Sequence, residues 1–423
     1  MSEKRRDLKG RLLRSGELQR EDGKYEFRYS DIKGNRHSVY SWKLVETDKL
    51  PTGKRSCRAL RDLEKEIQRD LDDDVNSYTA SRMTLNQYFD DYMTTKIELK
   101  PSTRTNYKYM YNKYVREEFG RRTLASIKFS DVKKFYIHLI HDCGFKPNSM
   151  EIINTIIHPV FTIAVRDGLI RNNPASGAMA DIKRSHNWEK TKRHALTEEQ
   201  QSAFIEYVKN SRVYGHWLSL FTLLLGTGCR VGEAIGLRWE DCDFENRMIS
   251  INHSLVYRQQ EDGSGCKFSV SSPKTSSGVR IIPMFDAVRE ALLAEREKQE
   301  LIGFNQTVID GYSGFIFRNR YGDIMNPSSI NRAIGRIIRD YNKEENKNSA
   351  EEHRPPELLP HFSVHNLRHT FCTRFCENET NLKIIQEIMG HADITTTMDV
   401  YNEATQKKKI ESFANLEGKI KIN

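Results

Sequence analysis

Apolar positions change their period along the chain, and the changes divide it into blocks. Residues 24–47, KYEFRYSDIKGNRHSVYSWKLVET, alternate aromatic or apolar residues with polar ones, interrupted by DIKGNRH with its Gly34-Asn35 pair. Period-two alternation around such a turn predicts a twisted antiparallel hairpin. A preceding strand within GRLLRSGELQ, residues 10–19, makes a third strand. From Cys57 the period lengthens. Leu60, Leu63, Ile67 and Leu71 recur at helical spacing, so one helix is expected beside the sheet.

DDDVNSYTASRMT, residues 72–84, is polar and acidic and reads as a linker. Residues 84–181 then carry helical periods. Leu85, Tyr88, Phe89 and Tyr92 share one face, KPSTRTNY opens with cap chemistry, and SMEIINTIIHPVFTIAVRDGLI holds a strong apolar stripe that Gly168 ends. A four- or five-helix domain is expected. IKRSHNWEKTKRHALTEEQ, residues 182–200, is a basic break without apolar period that closes on a capping box, Thr197 to Gln200. Beyond it helix and strand mix. RMISINHSLVYRQ, CKFSVSS and GVRIIPM read as strands, and residues 341–360, with a double proline, read as a polar loop. The expected class is multidomain α+β. It comprises a small three-stranded sheet with one helix (1–75), an all-α domain (84–181), a basic linker (182–196) and a mainly α domain with a small antiparallel sheet (197–413). A C-terminal tail (402–423) follows, with Ile410, Phe413 and Leu416 at helical spacing.

Composition narrows the class. At 423 residues the chain is too long for one core. The longest apolar run near a helix, WLSLFTLLL, falls short of the roughly 20 residues of a membrane span, and the N-terminus lacks a signal-peptide core, so a cytoplasmic protein with no membrane partner is expected. Seven scattered cysteines include no CxxC pair, which signals neither a zinc knuckle nor a disulfide framework. Cys372 and Cys376, four apart on a helix, read as free thiols. Residues 1–60 hold 16 Lys and Arg against 9 Asp and Glu, most of the chain's net charge of +9. A basic module of this kind suits a polyanion, and a two-stranded ribbon fits a major groove. Arg28, Lys33, Arg36 and Lys43 decorate the expected strands.

Several polar residues invite chemistry. In LGTGCRVGEAIGL, Arg230 stands at a helix start, where an arginine fork and backbone N–H groups can share an anion; the plainer reading is a surface arginine paired with Glu233. In SVHNLRHTF, His365 and Arg368 lie on one helix face, as an anion site or as satisfied groups of a core helix. His365 and His369 have zinc-pair spacing, but Asn366 stands where a metalloprotease has its glutamate and Arg368 would crowd a metal, so no metal is expected. Gly390 signals a helix end, and His391 follows it. Lys274 falls in a tight turn between two strands. Tyr401, one of 18 tyrosines, ends GHADITTTMDVY.

Taken together these residues resemble the tyrosine recombinases, the integrases of phages and mobile elements. Arg230 sits in the family's Gly-x-Arg-x-x-Glu setting (Gly228, Glu233), and Lys274 matches the lysine of the β-hairpin. His365 and Arg368 match the His-x-Leu-Arg-His box, His391 the position of His or Trp, and Tyr401 the nucleophile. The resemblance covers about residues 84–413. The basic N-terminal sheet is similar to the arm-binding domains of lambda-type and conjugative-transposon integrases.

The resemblance implies a DNA strand transferase. Tyr401 attacks a phosphodiester and forms a 3′-phosphotyrosine, Arg230, Arg368, His365 and His391 stabilise the phosphate, and Lys274 protonates the leaving 5′-oxygen. Bond energy is retained, so no ATP or other cofactor is needed, and the two arginines with Lys274 make metal ions unnecessary. Strand exchange passes through a Holliday junction in a homotetramer on synapsed DNA, integrating or excising a mobile element. The implied partners are double-stranded DNA at element ends and target, with an excision factor and a host DNA-bending protein as accessories. The tail is implied to pack on a neighbouring protomer, against packing on its own domain. The rival readings are a type IB topoisomerase-like enzyme and a non-catalytic DNA-binding regulator.

Overall fold

The computed structural model describes residues 5–185, 194–260, 264–273 and 276–402. The chain divides into two compact units, one ending at Lys190 and one beginning at Thr191.

The first unit begins with three short strands, β1 (Glu17–Gln19), β2 (Tyr25–Ser30) and β3 (Arg36–Ser41), antiparallel in sequence order. The alternation of residues 24–47 sets the register, with Tyr25 opposite Ser41 and Ser30 opposite Arg36. The expected first strand is shorter than its sequence span, because only three residues pair with β2. Helix α1 (Leu60–Asp72) closes the sheet, and Leu13, Tyr25, Leu44 and Leu60 form the small core between them. Arg28 and Arg36 lie on strands as expected, while Lys33 falls in the turn and Lys43 just past β3.

The segment read as a linker is in part a helix, α2 (Ser77–Arg82). Its residues are polar, but Asn76 caps it by accepting from the Thr79 N–H at 3.0 Å, and Ala80 is buried. Then come α3 (Leu85–Thr95), α4 (Pro101–Tyr114), α5 (Phe129–His141), α6 (Pro147–Arg166) and α7 (Ala178–Ser185). Helix α6 is the centre of this bundle: Met150, Ile153, Ile157, Val160, Phe161 and Ala164 are all buried at three- and four-residue spacing. The basic segment read as 182–196 is helical up to Ser185; residues 186–193 lie outside the described residues.

The second unit has α8 (Glu198–Asn210), α9 (Leu218–Thr227) and α10 (Val231–Gly236), followed by β4 (Cys242–Asp243), β5 (Met248–Ile251), β6 (Ser254–Gln259), β7 (Cys266–Ser271) and β8 (Arg280–Pro283). RMISINHSLVYRQ is two strands in two sheets, β4-β5-β8 and β6-β7. The chain breaks at His253, which is buried and bonds through Nε2 to the Gly236 carbonyl oxygen at 2.7 Å. Four helices complete the described residues: α11 (Asp286–Ile302), α12 (Pro327–Glu351), α13 (Val364–Asn378) and α14 (Leu382–Met389), with a last helical stretch over 394–402.

Helix α12 runs eleven residues into the span read as loop, from Tyr341 to Glu351. Polar residues there are satisfied: buried Glu345 is paired with Arg354, and the half-buried Asn342 side chain bonds both N–H and C=O of Leu359. The C-terminal tail read from 402 onward lies outside the described residues from 403. No described helix is long and apolar enough to cross a membrane.

Candidate active site

Helix α9 is apolar nearly all round and ends on Gly228, whose φ is +61°. A Cβ there would lie 2.4 Å from the Phe371 ring, so the close approach of α9 to α13 requires glycine. Two residues later Arg230 is the N-cap of α10. Its backbone N–H donates to Glu233 Oε2 at 2.9 Å and its Nη1 to Oε1 at 2.8 Å. The glutamate one turn on therefore orients the guanidinium, as the Gly-x-Arg-x-x-Glu spacing suggests.

Glu233 is buried and holds a second arginine, Arg280 of β8, whose Nη2 donates to Oε2 at 2.8 Å. Burial pushes the Glu233 carboxyl up, but the Arg280 hydrogen bond and the charges of Arg280 and Arg230 outweigh it and hold its pKa down to about 2. From an ordinary value of 4.5, this stabilisation is complete above pH 4.5 and is lost as pH falls through about 2. A Glu233→Gln protein is expected to be less stable than wild type at pH 7 by on the order of 3 kcal/mol. Urea unfolding between pH 7 and pH 3 should show the gap narrowing below pH 4.5; a gap independent of pH contradicts the assignment.

The same arginines converge on one helix end. The last carbonyls of a helix have no partner within it and carry its negative dipole end. At α14, Arg280 Nε donates to the Ile388 carbonyl oxygen (2.8 Å), Arg368 Nη2 to that of Met389 (2.6 Å) and Arg230 Nη2 to that of Gly390 (3.0 Å). Arg368 Nη1 also donates to the Gly228 carbonyl oxygen at 2.6 Å. Gly390 ends α14 at φ +62°, with Arg280 and Ser277 too close for a Cβ. Arg230, Arg280 and Arg368 thus come from three distant segments to fix the chain just before His391.

Their exposures differ. The Arg230 side chain is 43% exposed, whereas Arg368 is 5% exposed. Burial and the neighbouring Arg230 charge push the Arg368 pKa down to about 10, which leaves it charged at neutral pH. His391 is 8% exposed, and burial, then the charges of Arg368, Arg230 and Arg280, push its pKa down to about 4. Its imidazole is therefore neutral at pH 7. Its Nδ1 lies 3.0 Å from the Thr397 hydroxyl.

His365 is exposed in the first turn of α13, one turn before Arg368, and His369 is half-buried beside it. Tyr401 lies on the 394–402 helix. Half-buried, it packs against the cluster of Phe371, Cys372, Cys376, Ile385 and Met389, the last of which gives its carbonyl to Arg368. Cys372 and Cys376 are both buried in this cluster as free thiols.

Lys274 lies outside the described residues. The reading of a tight turn at Lys274 lies outside them too, while the strands on either side are described. β7 pairs with β6, β8 pairs with β5, and the segment between them passes through a short 3-10 turn at Ser276–Gly278. Pro273, lacking an N–H, ends the β7 ladder. Two polar residues of the site, Arg280 and Thr397, escape the motif reading. For Arg280 a signal existed: in β8 the buried positions are Arg280 and Ile282, with Ile281 exposed between them, so the arginine is in phase with the core set.

Residues 194–408 match the phage integrase family, residues 84–140 the N-terminal SAM-like domain of phage integrases, and residues 1–71 the DNA-binding domain of Tn916 integrase. The chain is 36% identical over 409 residues to the transposase from transposon Tn916 of Enterococcus faecalis, covering 96% of this chain and 95% of that protein. It is also 36% identical, with the same coverage, to the transposase from transposon Tn1545 of Streptococcus agalactiae. Among solved structures it is similar to Tn1549 transposon integrase in complex with transposon right-end DNA, at 28% identity and a TM-score of 0.66, covering 78% of this chain and all of that one.

Proposed function

The chain belongs to the phage integrase family of tyrosine recombinases, and from that premise we propose that the cluster around Glu233 and the α14 C-terminus is where it cleaves and rejoins the DNA of a mobile element. The observation that carries this reading is the meeting of Arg230 and Arg368 at the carbonyls that precede His391, beside the helix that carries Tyr401.

In the proposed step the Tyr401 oxygen attacks phosphorus and gives up its proton to His365 acting as general base. The bond from phosphorus to the 5′-oxygen breaks, and that oxygen takes a proton from Lys274. Charge grows on the two non-bridging oxygens as the new bond forms. Arg230 meets it from the solvent-facing side, because two of its five N–H groups are held by Glu233 and Gly390 and the side chain is accessible. Arg368 acts from beneath with a charge that burial leaves little screened. His365 and His391 add hydrogen bonds. Preorganised donors of this kind are worth roughly 10²–10³ in rate each. The product keeps a high-energy phosphotyrosine link, which a 5′-hydroxyl of a second duplex attacks in the reverse of the same chemistry.

The function proposed is that of a Tn916/Tn1545-type integrase that excises and integrates its element, acting as four protomers on two synapsed duplexes. The basic N-terminal sheet supplies a second DNA contact. The expected result with a four-way junction built from element-end and target sequences is resolution into two recombinant duplexes. Relaxation of supercoiled plasmid with no junction resolution would instead favour the type IB topoisomerase reading.

A further inference from the structure

GHADITTTMDVY contains three threonines that the catalytic reading leaves without a role. They are not equivalent. Thr395 and Thr396 are exposed, and Thr395 bonds Asp393, which opens the last helix. Thr397 is fully buried. Among the described residues its hydroxyl has one hydrogen-bond partner, His391 Nδ1 at 3.0 Å. The other two fully buried threonines among the described residues turn the hydroxyl back to the carbonyl four residues earlier, Thr370 to Asn366 and Thr227 to Leu223. Thr397 turns to the imidazole instead.

A buried O–H needs an acceptor. For Thr397 the acceptor at hand is Nδ1, and a nitrogen that accepts carries no proton. A neutral imidazole has one N–H, so the proton then resides on Nε2. The ring is neutral for two reasons: His391 is buried, and Arg230, Arg280 and Arg368 all raise the potential around it. A neutral histidine can donate to a phosphate only from the nitrogen that keeps its proton. The tautomer therefore decides whether His391 is a donor or an acceptor toward a scissile phosphate.

We infer that Thr397 is a positioning residue that locks His391 in the Nε2–H tautomer, so that an uncharged imidazole donates a hydrogen bond to the phosphate during strand cleavage. This rests on the recombinase reading above and adds a residue that the catalytic motif does not contain. Thr397 acts through His391 and touches no substrate. The lock also restrains the helix that carries Tyr401, since Thr397 is one turn before the tyrosine on the same helix.

The test uses the full chain with ¹⁵N-histidine labelling and a nicked suicide duplex carrying the element end. Wild type should show His391 as the Nε2–H tautomer in long-range ¹H–¹⁵N correlation, with the signal assigned by its loss in His391→Gln. Thr397→Val keeps the shape and removes the hydroxyl. It should show mixed tautomers and form the covalent adduct about 10- to 100-fold more slowly, with unchanged DNA affinity. Thr397→Ser restores the hydroxyl and should restore both the tautomer and most of the rate. A wild-type Nδ1–H tautomer overturns the inference, as does a Thr397→Val protein that cleaves at the wild-type rate. A serine variant as slow as the valine one also overturns it, because the hydroxyl would then not be the active feature. If the valine variant does not fold, the wild-type tautomer and the serine variant still decide. A wild type that forms no adduct at all fails the recombinase reading itself, whatever the tautomer.

Discussion

A Tyr401→Phe protein is expected to bind element-end DNA with wild-type affinity and to form no covalent adduct. The substitution removes one oxygen and leaves the ring. The ring is what packs on Phe371, Ile385 and Met389, so the helix over 394–402 and the arginine-bound end of α14 keep their places. The proposed phosphate contacts of Arg230 and of the basic N-terminal sheet do not need the hydroxyl, so the duplex should stay bound. The chemical step has no substitute, since phenylalanine has no nucleophile. Cleavage falls below detection, a larger effect than loss of any one stabilising donor. Adduct gels and filter binding on the same preparation separate the two quantities. A Phe variant that still links to DNA would move the nucleophile elsewhere.

Replacing Arg230 by lysine is expected to slow adduct formation by roughly 10²–10³ while stability changes little. Lysine keeps the charge and loses the fork. Arg230 now bonds Glu233 through Nη1 and Gly390 through Nη2, and it still presents N–H groups to a phosphate. An ammonium group cannot meet all three at once. It reaches Glu233 most readily, which leaves the phosphate with one donor fewer. Glu233 stays paired through Arg280, so the buried carboxylate does not become an isolated charge. Single-turnover cleavage with saturating DNA reads the rate, and thermal unfolding reads the fold. A lysine variant within threefold of wild type would show that Arg230 serves the helix end and not the phosphate.

The parts of this site that were legible in the sequence are those whose chemistry restricts residue type. Two arginines, an His-x-x-Arg helix face, a glycine-ended helix followed by His391 and a downstream tyrosine keep their order whatever the packing. Glu233 was legible as a partner of Arg230 because the contact is local, one helical turn long. Its second partner was not. Arg280 lies 47 residues away and bonds both Glu233 and the carbonyl of Ile388, 108 residues downstream. No local pattern records such contacts. Thr397 was hidden in a run of three, and burial alone sets it apart from Thr395 and Thr396.

The misread elements share a cause. The end of α12 looked like loop because Asn342, Glu345 and Ser349 are polar. The structure buries Glu345 and Ser349, satisfies Glu345 from Arg354, and engages the Asn342 amide with Leu359. α2 looked like linker for the same reason, although Asn76 is a good cap. Polar composition signals exposure only when no tertiary partner answers it. Strand pairing in the second unit was not legible, because strand partners depend on residues tens of positions apart.

The most direct measurement is to trap the protein on a nicked suicide duplex carrying the element end, digest the complex with protease and nuclease, and sequence the cross-linked peptide. The account predicts a nucleotide 3′-phosphate attached to Tyr401 and a free 5′-hydroxyl on the departing strand. A link through another residue, a 5′-phosphate attachment, or strand breaks with no covalent protein would contradict it.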